Sequence, residues 1–284
     1  MNSNRYVHPR PGLVGRLLGA IANSRLLLGA RRRLMSVLPF LKLQSDVRDV
    51  VYLTWLVKAD AVKHLVPPGV TLWQRDGLTP FTILTYAHGH FGPAGIGALR
   101  SVFPSPLQSN WRLYLEPLPQ NRPGQRVVLF IKNIMSSTLY AIGTRLFSDA
   151  LPTHLPLRFS HARHGDLQVT HIAGGQGSAP DLRCTLESTA TKELPGAFKT
   201  MFASWDNAID FLCLQDAAVA AVDGLDRLAF AEIDLPIETQ TVRPLVLVAD
   251  SLACPFVEAL GVSPPPLCFA VDKVPFKVIS ERLL

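Results

Sequence analysis

Runs of apolar positions, several of them alternating with polar ones, dominate the chain after residue 45 and predict a mainly β protein. The runs are rich in β-branched and aromatic side chains, which favour strands. Glycine- and proline-containing turn segments separate them, and Gly174 to Gly177 and Asp223-Gly224 are predicted hairpin turns. The predicted strands are 50–57, 81–90, 110–115, 127–134, 167–172, 182–188, 246–252 and 269–279.

Predicted helices are few and short. Residues 59–65 and 198–214 are typical of helices, and a third is predicted to begin at 136–138, where serine and threonine hydroxyls can cap its first turn. The apolar stripe of this third helix consists of Leu139, Ile142 and Leu146. Many strands with few helices predict an α+β fold, a mainly antiparallel β-barrel or cone flanked by helices over residues 46–284.

Positive charge is concentrated in a basic N-terminal extension, residues 1–45. This extension holds eight basic side chains and no acid, whereas the remaining chain holds 20 bases and 22 acids. The net charge of +6 therefore belongs to the extension, and the body of the protein is not predicted to bind nucleic acid.

The extension has two alternative interpretations. Its apolar segment Leu13 to Ala22 contains Arg16 and is followed by Arg25, which argues against a secretion signal or a membrane span. In the first, the extension docks on the domain or stays mobile. In the second, it forms a basic amphipathic helix that lies on an anionic membrane or on a partner. The four cysteines have no C-x-x-C spacing, so we expect a cytoplasmic protein, with membrane association as the alternative.

The segment 110–115 carries the most informative polar pattern. Alternation places Asn110, Arg112 and Tyr114 on one face of a strand and Trp111, Leu113 and Leu115 on the other. Inside a barrel, the arginine would need an anionic partner, and a carboxylate ligand would supply one through a bidentate pair. The alternatives are a solvated polar face or a salt bridge to Glu116 or Asp149.

Other candidate residues are weaker. His88 and His90 would share one face of a predicted strand, but no carboxylate lies at tight ligand spacing beside them, so we predict neither a metal nor a cofactor. Lys132 interrupts an apolar strand and is either an amine nucleophile or a lysine whose head reaches water. The sequence lacks a G-x-S-x-G elbow, a Walker loop and an H-E-x-x-H motif.

Several short stretches occur in an order and spacing that match a known family. They are 55–57, 65–72, Asn110-x-Arg112-x-Tyr114, Gly143-Thr-Arg145, Leu151-Pro152, Phe211-Leu212 and Asp223-Gly224. Through them the chain, from Asp46 to its end, resembles the acetoacetate-decarboxylase-like superfamily, and more closely an uncharacterised bacterial family within it, a domain of unknown function. The resemblance implies a central pocket, and homo-oligomers are common in the superfamily.

The resemblance also marks a departure from the superfamily. Where acetoacetate decarboxylases carry Pro-Lys-Lys, with a lysine that forms a Schiff base, this sequence has Ala150, Leu151 and Pro152. An acidic residue of the superfamily aligns with Thr82. Decarboxylation through an imine is therefore not expected.

Three hypotheses follow for function. The leading one is a pocket for a small carboxylate- or carbonyl-bearing molecule, with Arg112 as the anion clamp and Asn110, Tyr114 and Arg145 in support. The second is a lyase or hydratase that uses Lys132, Tyr114 or His88 as acid or base. The third is a peripheral membrane protein that acts through residues 1–45.

Overall fold

The computed structural model describes residues 4–119, 121–262 and 265–284. The strands are β1 Leu43–Lys58, β2 Leu78–Ala87, β3 Gly92–Pro93, β4 Leu107–Leu115, β5 Val127–Met135, β6 Thr153–His154, β7 Arg158–His164, β8 Leu167–Ala173, β9 Leu182–Ser188, β10 Ala217–Ala221, β11 Leu228–Asp234, β12 Arg243–Leu247 and β13 Leu267–Leu283. The α-helices are α1 Leu13–Ala22, α2 Arg25–Met35, α3 Ala59–Val62, α4 Thr138–Phe147, α5 Phe198–Met201, α6 Trp205–Cys213 and α7 Pro255–Glu258. Short 3₁₀ helices span Lys63–Leu65, Ala94–Val102 and Thr239–Thr241.

All the strands belong to one mixed sheet whose pairings return to their starting strand. Neighbouring strands follow the order β1, β2, β4, β5, β10, β11 and β13, and β13 pairs again with β1, so seven strands form a closed ring of pairings. Pairing around the ring is antiparallel except between β5 and β10. Beyond β13 the sheet continues through β12, β9, β8 and β7.

Alternating side chains of the ring enter two separate hydrophobic clusters. On β4, Trp111 and Leu113 enter one cluster and Tyr114 enters the other. On β1, Leu53 and Tyr52 divide in the same way. The predicted alternation on β4 is confirmed, with the difference that both faces of this strand are buried and neither is solvated.

Several predicted elements end or break at other residues. The predicted helix 198–214 is two helices, α5 and α6, and Ser204 caps α6 by accepting a hydrogen bond from the amide of Asn207. The predicted strand 246–252 ends at Leu247, before a turn in which Asp250 has a positive φ. Helix α4 forms as expected, but no side chain caps its N-terminus.

The described part of the basic extension packs on the sheet and on α4. Tyr6 and Ala22 form a buried cluster with Ala141, and Arg31 and Arg32 of α2 both lie 2.7 Å from the carboxylate of Asp149. No single described helix is long and apolar enough to cross a membrane, although α1 and α2 together, bent by 42°, reach the required length and composition.

Candidate ligand-binding cavity

A cavity of about 480 Å³ lies within the ring of seven strands. Every strand of the ring contributes to its wall, and α4 and the following loop cover it. Ala150 and Leu151 of that loop line the cavity. The wall is mostly apolar, and its strand residues include Val50, Leu84, Val128, Phe130, Ala218, Ala231 and Phe276.

Arg112 supplies the positive charge of this apolar wall. The residue is only 2% exposed and lines the cavity together with Asn110. One terminal nitrogen of its guanidinium donates to the carbonyl of Leu212 at 2.7 Å, and Tyr114 donates its hydroxyl to the same carbonyl at 3.1 Å. This carbonyl lies at the C-terminal end of α6, where a helix carries partial negative charge.

The guanidinium has no carboxylate partner among the described residues, so the predicted alternative of a salt bridge to Glu116 or Asp149 does not form. Its Nε is buried without a hydrogen-bond partner in the described part of the chain. The rings of Tyr52 and Tyr114 lie 5.5 and 5.4 Å from its central carbon and stabilise the cation by their π faces. Among the described residues, only neutral groups therefore compensate this buried positive charge.

A chain of hydrogen bonds leads from His88 to the cavity wall. His88 donates through Nε2 to the amide oxygen of Gln108 at 2.6 Å and accepts at Nδ1 from Ser45 at 2.8 Å. Gln108 in turn donates to Asn110 at 2.7 Å, and both amides line the cavity. Burial lowers the pKa of His88 to about 4, so the ring is neutral and orients these amides.

The expected histidine pair does not form. Strand β2 ends at Ala87, and His90 follows with a positive φ that turns it to the exposed side. His88 instead stacks on Phe91, with ring centroids 4.4 Å apart. The prediction that His88 and His90 share a strand face is therefore wrong.

Tyr114, Lys132 and Arg145 lie outside the cavity lining. Burial, and then the charge of Arg145, lower the pKa of Lys132 to about 8. Arg145 donates to the carbonyls of Thr153 and Asn4 and pairs with Asp223 at 3.2 Å. It joins α4 to the N-terminal segment, and it does not face Arg112.

Glu281 is a cavity residue that the sequence analysis missed. Its carboxylate accepts from the hydroxyl of Ser148 at 2.5 Å and from the amide of Asp149 at 2.6 Å, and burial raises its pKa. The pairing of β11 with β13 shifts register between Glu232 and Ile233. Strict alternation along β13 therefore fails to place Glu281 on the same wall as Val278.

Known structures share this fold. An acetoacetate decarboxylase-like enzyme from Sphingomonas wittichii RW1 superposes with a TM-score of 0.56 at 10% identity, covering 87% of this chain and 94% of its own. The enduracididine biosynthesis enzyme MppR, complexed with the condensation product of pyruvate and imidazole 4-carboxaldehyde, has a TM-score of 0.56 at 12% identity, covering 87% of this chain and 90% of its own. An acetoacetate decarboxylase has a TM-score of 0.52 at 14% identity, also covering 87% of this chain and 90% of its own.

Sequence comparison points to one family. No curated protein sequence matches the chain. Residues 44–205 match the model of the DUF2071 family, described as an uncharacterized conserved protein, and this match spans more than half of the chain. The chain therefore belongs to the DUF2071 family, and it has the fold of the acetoacetate-decarboxylase-like enzymes.

Proposed function

We propose that the cavity binds a small molecule with a carboxylate head and an apolar body, and that the ring of strands acts as a β-barrel around it. The observation that carries the proposal is Arg112, a buried guanidinium on an apolar wall with no carboxylate partner among the described residues. A ligand carboxylate would complete its coordination through the unpartnered Nε, and charge-assisted hydrogen bonds of this kind are the strong ones.

The size of the cavity favours an apolar body over a short acid. Its volume of about 480 Å³ falls within the usual range for small-molecule sites. A short keto acid would fill only a small part of it and would leave most of the apolar wall uncovered. In another protein with this fold, MppR, a structure is complexed with pyruvate, which is a small carboxylate.

The contacts give less support to an acid–base enzyme. Lys132, Tyr114 and His88, which the sequence suggests as catalytic groups, lie outside the cavity lining. The loop at which the superfamily carries its lysine pair contributes Leu151 to the wall, and leucine cannot form an imine. We therefore favour ligand binding over a lyase or hydratase activity as the function of the cavity.

Isothermal titration with straight-chain carboxylates and the matching alcohols tests the proposal. We expect the wild-type protein to bind the carboxylate more tightly than the alcohol. Arg112→Met should weaken carboxylate binding by about ten- to a hundredfold, the value of one or two charge-assisted hydrogen bonds.

Two controls separate loss of the clamp from loss of the fold. Alcohol binding should survive in Arg112→Met because the apolar wall is unchanged. Arg282 is exposed and lies outside the cavity lining, so the variant Arg282→Met loses one positive charge away from the site. This variant should bind the carboxylate as the wild type does. Equal affinity of the wild type and Arg112→Met for the carboxylate would contradict the proposal.

A further inference from the structure

An exposed apolar surface surrounds the mouth of the cavity. Met35, Phe40, Leu41, Leu139 and Phe147 all line the cavity and are all exposed, Leu139 by 69% and Phe147 by 66%. We call these five residues the mouth surface. Apolar side chains at an opening are costly in water, so such a surface is typical of an interaction site.

Exposed apolar residues in two neighbouring segments extend the mouth surface. The whole segment 34–41 is exposed and contains Val37 and Leu38, which are 78% and 48% accessible. Leu99 and Val102 of a short 3₁₀ helix are also exposed, next to Phe103 of the cavity wall.

Positive charge borders the apolar segment at both ends. Arg33 precedes it and Lys42 follows it, and both are exposed. Two acids of neighbouring segments are already paired. Asp46, the first acid of the chain, pairs with Arg100, and Asp149, just after α4, pairs with the two arginines of α2. The surface is thus apolar with a basic border, a combination that fits an anionic lipid interface.

We propose that the mouth surface and segment 34–41 dock on an anionic membrane surface, with Arg33 and Lys42 at the lipid headgroups. The cavity then opens onto the lipid, and an amphiphilic ligand could enter without crossing water. A second copy of this chain is a poorer occupant, because a symmetric contact would bring the same basic borders together.

Co-sedimentation of the full chain with vesicles tests this docking. We expect binding to vesicles that contain phosphatidylserine and little binding to phosphatidylcholine alone, with salt weakening the former. The double variant Arg33→Glu/Lys42→Glu should lower partitioning at least about tenfold, because it replaces two attractions to anionic headgroups with two repulsions. Lys192→Glu/Lys199→Glu changes the net charge equally at other exposed positions and should bind as the wild type does.

A second pair of variants tests the contribution of the apolar side chains to vesicle binding. Val37→Ser/Leu38→Ser should weaken binding to the anionic vesicles, whereas Leu225→Ser/Val246→Ser, at exposed positions elsewhere, should not. Arg112→Met should bind the vesicles normally, which separates this proposal from the ligand site.

Three results would overturn the proposal. One is the absence of binding to anionic vesicles, and another is an equal loss of binding in the control variants. The third is self-association of the wild type that Val37→Ser/Leu38→Ser abolishes, with neither the wild type nor any variant binding vesicles. That result would assign the surface to a second copy of the chain.

Discussion

Two buried arginines of this protein differ in what balances their charge. Arg145 has the carboxylate of Asp223 and two backbone carbonyls. Arg112 has one carbonyl, one hydroxyl and two aromatic faces. Because a buried charge is costly when its partners are neutral, Arg112 is the one that favours an added anion.

His88 should make stability depend on pH. Its pKa is about 4 in the folded protein against an ordinary 6.5, so the unfolded chain takes up a proton first as pH falls. The stabilisation from the neutral ring is present above the ordinary value and is lost as pH falls toward the folded value. Between about pH 7 and about pH 5 we expect His88 to account for a loss of about 2 kcal/mol in the free energy of unfolding.

Urea unfolding of the wild type and His88→Asn at these two pH values checks this expectation. The variant is less stable at neutral pH because the bonds to Ser45 and Gln108 change, but its loss on acidification should be smaller than that of the wild type. An identical loss in both proteins would show that His88 is not the group responsible.

At the scale of elements, α2 is joined to the body of the protein by ion pairs and by the buried Leu28. Its two arginines converge on Asp149, which directly follows α4 and precedes the cavity-lining residues Ala150 and Leu151. The carboxylate of Glu281 also binds this loop, by accepting a hydrogen bond from the amide of Asp149. The position of the extension is therefore coupled to the cover of the cavity.

Asp149→Asn should loosen α2 without unfolding the sheet. Loss of the carboxylate charge leaves Arg31 and Arg32 half-buried with a neutral partner, so we expect amide hydrogen exchange in Arg25–Met35 to quicken by about tenfold or more. Exchange in β4 and β5 should be unchanged. Asp272→Asn, which breaks an exposed pair with Arg243, is the matched control, and an equal effect on α2 from that variant would contradict the account.

The sequence predicted those elements whose signal is local. The alternation on β4 and the turn at Asp223-Gly224 depend on neighbouring residues, and both appear as predicted. The break between α5 and α6 was missed because the apolar spacing continues across Ser204, and only its cap reveals the second start. The end of β2 at Ala87 was missed because His88 is held by Ser45 and Gln108, which are distant in sequence.

At the scale of the whole molecule, the cavity requires the closed ring of pairings. Arg112 and Glu281 come to line one cavity only because β13 pairs with both β1 and β11. Arg112 could be singled out from alternation on a single strand. Glu281 and the docking of Arg31 and Arg32 on Asp149 could not, because they depend on a register shift and on contacts between distant segments.

A crystal structure of the protein grown with decanoate tests most directly whether a ligand carboxylate binds at Arg112. We predict density for the carboxylate within hydrogen-bond distance of the Arg112 guanidinium, with the alkyl chain along the apolar wall toward the mouth surface. A decanoate bound with its carboxylate at the mouth and its chain beside Arg112 would contradict the account.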